Sequence, residues 1–242
     1  HGGVDKLVFD NISDPICEPH QVIVKIKASA INHLDIWVRN GFPNNKIQLP
    51  MTLGSDGSGT IVDIGKNISD FRIGDDIIIQ PGLYCKDCIY CNLGKENYCS
   101  NYGVLGETKN GTLSEFIALE SINIHAKPKH LTFQEAASMP LVFMTAFQML
   151  IKRAMLMGNE TVLIYGGSSG VGSAAIQISK AVGANVIATS GSKIKCEFCI
   201  NLGADYVINH NQPELVKRIK ELTDNRGVDV IFEHIGLTTW QD

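Results

Sequence analysis

The stretch TVLIYGGSSGVGSAAIQISKAV, residues 161–182, constrains the fold more than any other part of this 242-residue chain. It opens with a short, continuous apolar run, as a strand buried on both faces does. A glycine-rich turn follows, and then a helix from about Gly170 to Val182, with Val171, Ala175, Ile178 and Val182 on one stripe. The rhythm continues: ANVIATS (184–190), DYVIN (205–209) and VDVIFEHI (228–235) read as strands separated by helical segments. Strands alternating with helices build a parallel sheet with crossover helices.

The first half has another rhythm. VIVKIKAS (22–29) alternates apolar and polar residues, as a half-buried strand does. GTIVDIG (59–65), DIIIQ (76–80), LSEFIAL (113–119) and INIHAKP (122–128) follow as short strands, separated by Gly and Pro clusters. Such a pattern predicts a small barrel or sandwich with long functional loops. Residues 132–156 read as a helical segment broken or kinked near Pro140, with Thr132 and Glu135 forming a capping box at its start. Two domains are therefore expected, an all-β one over 1–125 and an α/β one over 126–242.

The bulk numbers exclude several classes of function. Lys and Arg number 21 against 25 Asp and Glu, a net charge of −4, so no basic surplus favours nucleic acid. No apolar stretch is long enough to span a bilayer, and the N-terminus does not read as a signal peptide, so a cytoplasmic protein is expected. The triplets at Asn11 and Asn67 then read as chance matches to a glycosylation signal. The chain starts at His1 without a methionine and stops at Gln241-Asp242 soon after a strand-like run, so both ends read as cut.

Four of the seven cysteines fall in YCKDCIYCNLGKENYCS, residues 84–100, at Cys85, Cys88, Cys91 and Cys99. That spacing fits a tetrathiolate zinc site, with an iron–sulfur cluster or oxidised cysteines as the alternatives. Four thiolates close the coordination shell, so a metal there would hold a loop and leave no position for substrate. Cys196 and Cys199 sit one turn apart on a helix, read either as a two-ligand or redox site or as an ordinary packed face.

The turn Gly167-Ser168-Ser169-Gly170-Val171-Gly172 stands between strand and helix. Glycines there let the backbone turn tightly and approach a pyrophosphate, and the helix N-terminus supplies free N–H groups and partial positive charge. The spacing is G-x-x-G-x-G, so a structural turn in another doubly wound protein is the competing reading. An NAD site places an acid at the end of the second strand; here that strand runs into Ser190, Gly191, Ser192 and Lys193, with Lys195 close by. A neutral serine and two lysines favour a 2′-phosphate, hence NADP(H) over NAD(H). Exposed helix lysines with no ligand are the alternative.

Taken together, CKDCIYCNLGKENYC, LGSDGSGTIVDIG and YGGSSGVGSAAIQISKAVGA resemble the medium-chain dehydrogenase/reductase superfamily, which contains zinc alcohol dehydrogenases and quinone oxidoreductases. The resemblance runs along essentially the whole chain. It implies a GroES-like catalytic domain followed by a Rossmann domain, hydride transfer in the cleft between them, and a homo-oligomer. It also implies a first strand before His1 and a sheet continuing past Asp242.

The resemblance assigns Cys85, Cys88, Cys91 and Cys99 to the family's structural zinc lobe, 85–99. The catalytic zinc positions differ: Asn32 stands where the first cysteine ligand would be, Ser55 in Gly54-Ser55-Asp56 replaces a histidine, and Leu141 falls at the third ligand. Asn, Ser and Leu do not make a zinc site, and Asp56 alone is too little. A metal-free active site is thus expected, reducing a quinone or enone with NADPH; the alternatives are a zinc alcohol dehydrogenase and a non-enzymatic, crystallin-like relative. Asn32 and Ser55 would donate to the substrate oxygen or the nicotinamide carboxamide, Thr145 would lie beside the nicotinamide, and His33 near the pyrophosphate. His210 would reach the adenosine phosphate, and Asp35 would pair with Arg39.

Overall fold

The computed structural model describes residues 1–42, 47–237 and 239–240, so Gln241 and Asp242 lie outside the described residues. The chain forms two compact units, His1–Leu141 and Val142–Asp242.

In the first unit, strand β1 (Gln21–Ala30) leads into helix α1 (His33–Asn40). Strands β2 (Asp56–Ile64), β3 (Asp76–Ile79) and β4 (Gly82–Leu83) come next, then the short helix α2 (Ile89–Asn92). Strands β5 (Gly103–Val104), β6 (Phe116–Glu120) and β7 (Ile124–Ala126) complete the set. The main sheet has the order β6-β1-β2-β3-β7, with every pairing antiparallel. Val22 and Val24 of β1 meet Ile61, Ile77, Ile79 and Ile124 in a core that is closed to solvent. Each such side chain contributes about 1.5–3 kcal/mol by leaving water. The pair β4–β5 closes the base of the loop that carries the four cysteines.

Helix α3 (Phe133–Ala137) packs on β1, β2 and β3. Thr132 caps it as expected: its hydroxyl accepts from Glu135 N at 3.2 Å, and the Glu135 carboxylate accepts from Thr132 N at 2.8 Å. Ser58 Oγ donates to Phe133 O at 2.6 Å. The Ser58 bond and the packing of α3 tie residues 126–141 to the first unit, so the division falls after Leu141 and not after residue 125. The expected break is present, at Ser138–Met139, and Pro140 begins helix α4 (Pro140–Phe147). Proline suits the first helical position, where its missing N–H has no partner to lose. A π-helical segment, Gln148–Arg153, follows.

The second unit is a parallel sheet of β8 (Thr161–Ile164), β9 (Asn185–Ser190), β10 (Tyr206–Asn209) and β11 (Val230–Phe232), in the order β10-β9-β8-β11. Helices α5 (Gly170–Val182), α6 (Lys193–Asn201) and α7 (Leu215–Leu222) make the crossovers. Gly172, Ala174, Ala175, Ile176 and Ser179 are the buried residues of α5, while Val171 and Ile178 pack at the rim of the core. The buried stripe is thus rotated from the expected one. Small residues face the sheet because the helix lies close to it. Among the described residues no helix is long and apolar enough to cross a membrane.

Candidate functional site

The glycine-rich turn lies at the C-terminal end of β8. Gly166 takes a φ of 61°, which makes the sharp exit from the strand. Sequence reading began the glycine set at Gly167 and passed over this one. A Cβ on Gly172 would stand 2.2 Å from Gly166 O, so strand exit and helix entry touch through bare backbone. Ser169 caps α5: its hydroxyl accepts from Gly172 N at 3.0 Å. The N-terminal amides of a thirteen-residue helix are thereby presented where the strands of a parallel sheet end, which suits a pyrophosphate. Gly170 and Ser169 are exposed there and Ser168 is half-buried.

Ser190, at the end of β9, is buried and donates to Ser168 Oγ at 3.0 Å. It therefore ties the second strand to the turn, and no carboxylate stands in its place. The loop after β10 folds over the next residue: Asn211 Nδ2 donates to Gly191 O at 2.8 Å, and His210 Nε2 lies 3.0 Å from where a Gly191 Cβ would be. Ser192 caps α6, whose first turn carries Lys193 and Lys195, both exposed. Ser190, His210 and the lysine-bearing turn thus share one end of the sheet. Cys199 is buried and Cys196 half-buried on α6, and they join no larger metal-ligand cluster among the described residues.

In the first unit the four cysteines converge. Cys88 and Cys91 sulfurs lie 3.5 Å apart, as do those of Cys99 and Cys85, and Cys85 and Cys91 are 3.9 Å apart. Tetrahedral zinc with bonds of about 2.3 Å needs sulfurs about 3.8 Å from one another, so the donor set fits. Among the described residues this is the one group of metal-capable side chains so gathered. Asn101 N also donates to Cys99 Sγ at 3.4 Å. Without a cation, desolvation and the hydrogen bond from Cys88 push the Cys91 thiol up to about 12. Four sulfurs this close cannot all ionise unless a metal carries the charge away. Lys86, with a φ of 71°, anchors the lobe to β6 through its ion pair with Glu120.

Asn32, Asp56 and Leu141 come together, but as a hydrogen-bonded knot. Asp56 opens β2 at 1% exposure; its Oδ2 accepts from Asn32 Nδ2 at 2.9 Å and its Oδ1 from Leu141 N at 2.9 Å. Burial pushes the Asp56 carboxyl up to about 6, against the pull of those two bonds; the charge of Asp35 adds to the rise. As ligands these groups make a poor zinc set: Asn32 turns its amide nitrogen, which is no donor to a metal, toward Asp56, Leu141 offers no side-chain atom, and each Asp56 oxygen already accepts an N–H.

Two expectations are corrected here. Ser55 is fully buried and donates to Leu105 O at 2.8 Å, so its hydroxyl is a strut and not a substrate donor. Asp35 does not pair with Arg39. Its carboxylate accepts from Asn32 N at 2.7 Å and Gly54 N at 2.9 Å, while Arg39 donates to Gly2 O and to Asn40 Oδ1. The spacing Asn32-x-x-Asp35 is a capping pattern, and read that way it would have located Asp35 correctly. His33 is exposed on α1 with its ring against Trp37, 4.9 Å between centroids. Thr145 is half-buried on α4. Sequence reading also missed His234, just beyond β11, whose Nε2 lies 3.4 Å from Ser169 Oγ. No local motif marks it; only the strand order brings it to the turn.

Residues 18–129 match the alcohol dehydrogenase GroES-like domain, and residues 170–242 match the zinc-binding dehydrogenase domain. An NAD-dependent alcohol dehydrogenase of Sulfolobus acidocaldarius is 33% identical over 238 residues, covering 96% of this chain and 68% of the relative. A quinone oxidoreductase of Homo sapiens is 29% identical over 236 residues, covering 97% of this chain and 64% of the relative. A crystal structure of an NAD-dependent alcohol dehydrogenase superposes with a TM-score of 0.91 at 42% identity, covering 94% of this chain and 66% of that one. The chain thus spans about two thirds of the length of these relatives.

Proposed function

The chain belongs to the medium-chain dehydrogenase/reductase superfamily of oxidoreductases, and from that premise we propose that the whole protein uses NADPH to reduce an activated carbonyl-type acceptor, a quinone or enone, without catalytic zinc. The observation that carries this reading is the Asn32–Asp56–Leu141 knot, where carboxylate and amide satisfy one another and no set of metal ligands is offered. Without a Lewis acid at that place an alkoxide is poorly stabilised at neutral pH, so simple alcohols are poor substrates. A conjugated acceptor needs less help, since its own π-system spreads the charge.

The cofactor supplies the hydride; the chain supplies binding and orientation. The N-terminus of α5 receives the pyrophosphate, and the Lys193–Lys195 turn with His210 receives the phosphorylated ribose, while Ser190 supports the turn through its bond to Ser168 and sets no carboxylate against the phosphate. Asn32, held by Asp56 through one N–H, keeps its amide in a fixed orientation for the substrate oxygen or the carboxamide. The Cys85–Cys99 lobe binds one structural zinc ion. The whole protein is a homo-oligomer in this reading, checked by light scattering.

Cobalt substitution with turnover assays tests it. The expected result is a single tetrathiolate cobalt spectrum, with NADPH oxidised by quinones or enones. A second cobalt signal with oxygen or nitrogen ligands, and turnover of simple alcohols with NAD, would replace it with a zinc alcohol dehydrogenase. Absence of any dinucleotide binding would point to a structural protein.

A further inference from the structure

The sheet order β10-β9-β8-β11 places β8 between a strand reached through α5 and a strand that arrives from the other side. The crevice at the ends of β8 and β11 is therefore the switch point, where ligands of open α/β sheets bind. His234 stands in this crevice, two residues past β11. Its Nε2 is 3.4 Å from Ser169 Oγ, and both Nε2 and Cε1 lie 3.8 Å from where a Gly166 Cβ would be, a position that Ile235 Cδ1 approaches to 3.3 Å. Its ring packs edge-on against Phe232, 5.5 Å between centroids.

The Ser169–His234 contact can run in either direction, and which one holds follows the proton on Nε2. Ser169 Oγ already accepts from Gly172 N, so its own proton is free to go to an acceptor. A neutral His234 that carries its proton on Nδ1 takes it at Nε2. If Nε2 gains a proton, that N–H donates to Ser169 Oγ, and the Ser169 hydroxyl is released to donate elsewhere. Protonation therefore adds a positive charge and frees one O–H donor at the mouth of the turn. An anion seated there favours that state.

We propose that His234 is a proton-linked anion receptor for the turn, so that seating the pyrophosphate of a dinucleotide takes up a proton at His234 Nε2. This rests on the dinucleotide reading above and adds to it a residue and a pH dependence. Before binding, partial burial holds the imidazole below its ordinary range, with Glu233 and main-chain contacts opposing the fall. Glu233 is the one side-chain charge shown acting on His234 among the described residues. Its carboxylate is held by Ile235 N at 2.7 Å, Gly236 N at 3.0 Å and Thr239 Oγ1 at 2.7 Å. From the turn, Ser169 and Gly166 face the ring, and from the end of β8 the Tyr165 main chain does. The group is therefore neutral near pH 7 and poised to respond to two phosphate charges.

The test is titration calorimetry of the full-length protein with NADPH near pH 7, in buffers of different ionisation enthalpy. The expected result is uptake of a fraction of a proton per dinucleotide bound, with affinity falling as pH rises. His234→Gln should abolish the uptake and flatten the pH profile while still binding NADPH. Nitrogen-15 shifts of His234 in the unaltered protein, with and without NADPH, give the same answer without a variant: its pKa should rise on binding. Binding without uptake, uptake that survives in His234→Gln, or an unmoved His234 pKa would overturn the proposal and leave the dinucleotide reading intact. Failure of the protein to bind NADPH or NADH at all would overturn both.

Discussion

Asn32 Nδ2 donates to Asp56 Oδ2 at 2.9 Å, joining the start of α1 to the start of β2 through a carboxylate that water does not reach. The carboxyl is raised from 3.8 to about 6, so between those values the folded chain holds a proton there that the unfolded chain has released. Stability from this group is greatest below the lower value, falls as pH rises across the window, and is flat above it. The adverse contribution at pH 7 is on the order of 3 kcal/mol. Asp56→Asn removes that pH dependence but sets an amide N–H against a neighbouring donor, at about 1–3 kcal/mol. Urea midpoints at pH 4 and pH 7 should therefore converge in the variant, relative to the parent, and turnover should fall.

Zinc analysis of protein purified without added metal should give one ion per chain. Cys88→Ser should lose it. Because the sulfurs of Cys85, Cys88, Cys91 and Cys99 gather both ends of residues 85–99 within 4.8 Å of one another, the lobe should loosen with loss of the metal. A fall in Tm on the order of 10 °C is expected on chelation. Two ions per chain would contradict the reading of Asn32, Ser55 and Leu141.

Lys195→Ala tests the choice of cofactor. The side chain is exposed on the first turn of α6, beyond Ser190, so its removal leaves the core untouched. Affinity for NADPH should fall by about tenfold, roughly 1.4 kcal/mol, with NADH unchanged. Equal loss for both, measured by fluorescence titration, would place no 2′-phosphate near this lysine.

Two glycines of the turn should behave differently. Gly172→Ala drives a methyl to 2.2 Å from Gly166 O, a backbone atom that cannot step aside. Gly170→Ala meets Val142 Cγ1 at 3.0 Å, a looser approach, and to a side chain and not to backbone. The first should cost about 1–3 kcal/mol and most dinucleotide binding, the second much less of either. Thermal melts and binding titrations of the pair would check the order.

Local chemistry was legible in the sequence wherever the cause was local. The Thr132–Glu135 box, the helix from Gly170 to Val182, and the strands at 22–29, 76–80, 161–166 and 184–190 follow from periodicity and capping within a few residues. The cysteine spacing named its own cluster because thiolate ligands recur at turn distances. The rotated stripe on α5 was not legible, since Val171 and Ile178 fit a helical pattern with Ala175 as well as the buried set does; only the packing on the sheet selected the buried face.

By itself the sequence determined the two kinds of domain, the spacing of the four clustered cysteines, the glycine-rich turn and the residue types Asn, Ser and Leu at positions 32, 55 and 141. Tertiary structure alone decided what those positions do instead. It turned Ser55 toward Leu105, gave Asp35 to the amides of Asn32 and Gly54, and closed Asp56 around Asn32 and Leu141. It also carried His234 to Ser169 across 65 residues of chain. The physical reason is that a buried polar group takes the partner the fold brings within about 3 Å, and that partner is chosen by sheet order and helix entry, not by neighbours in sequence.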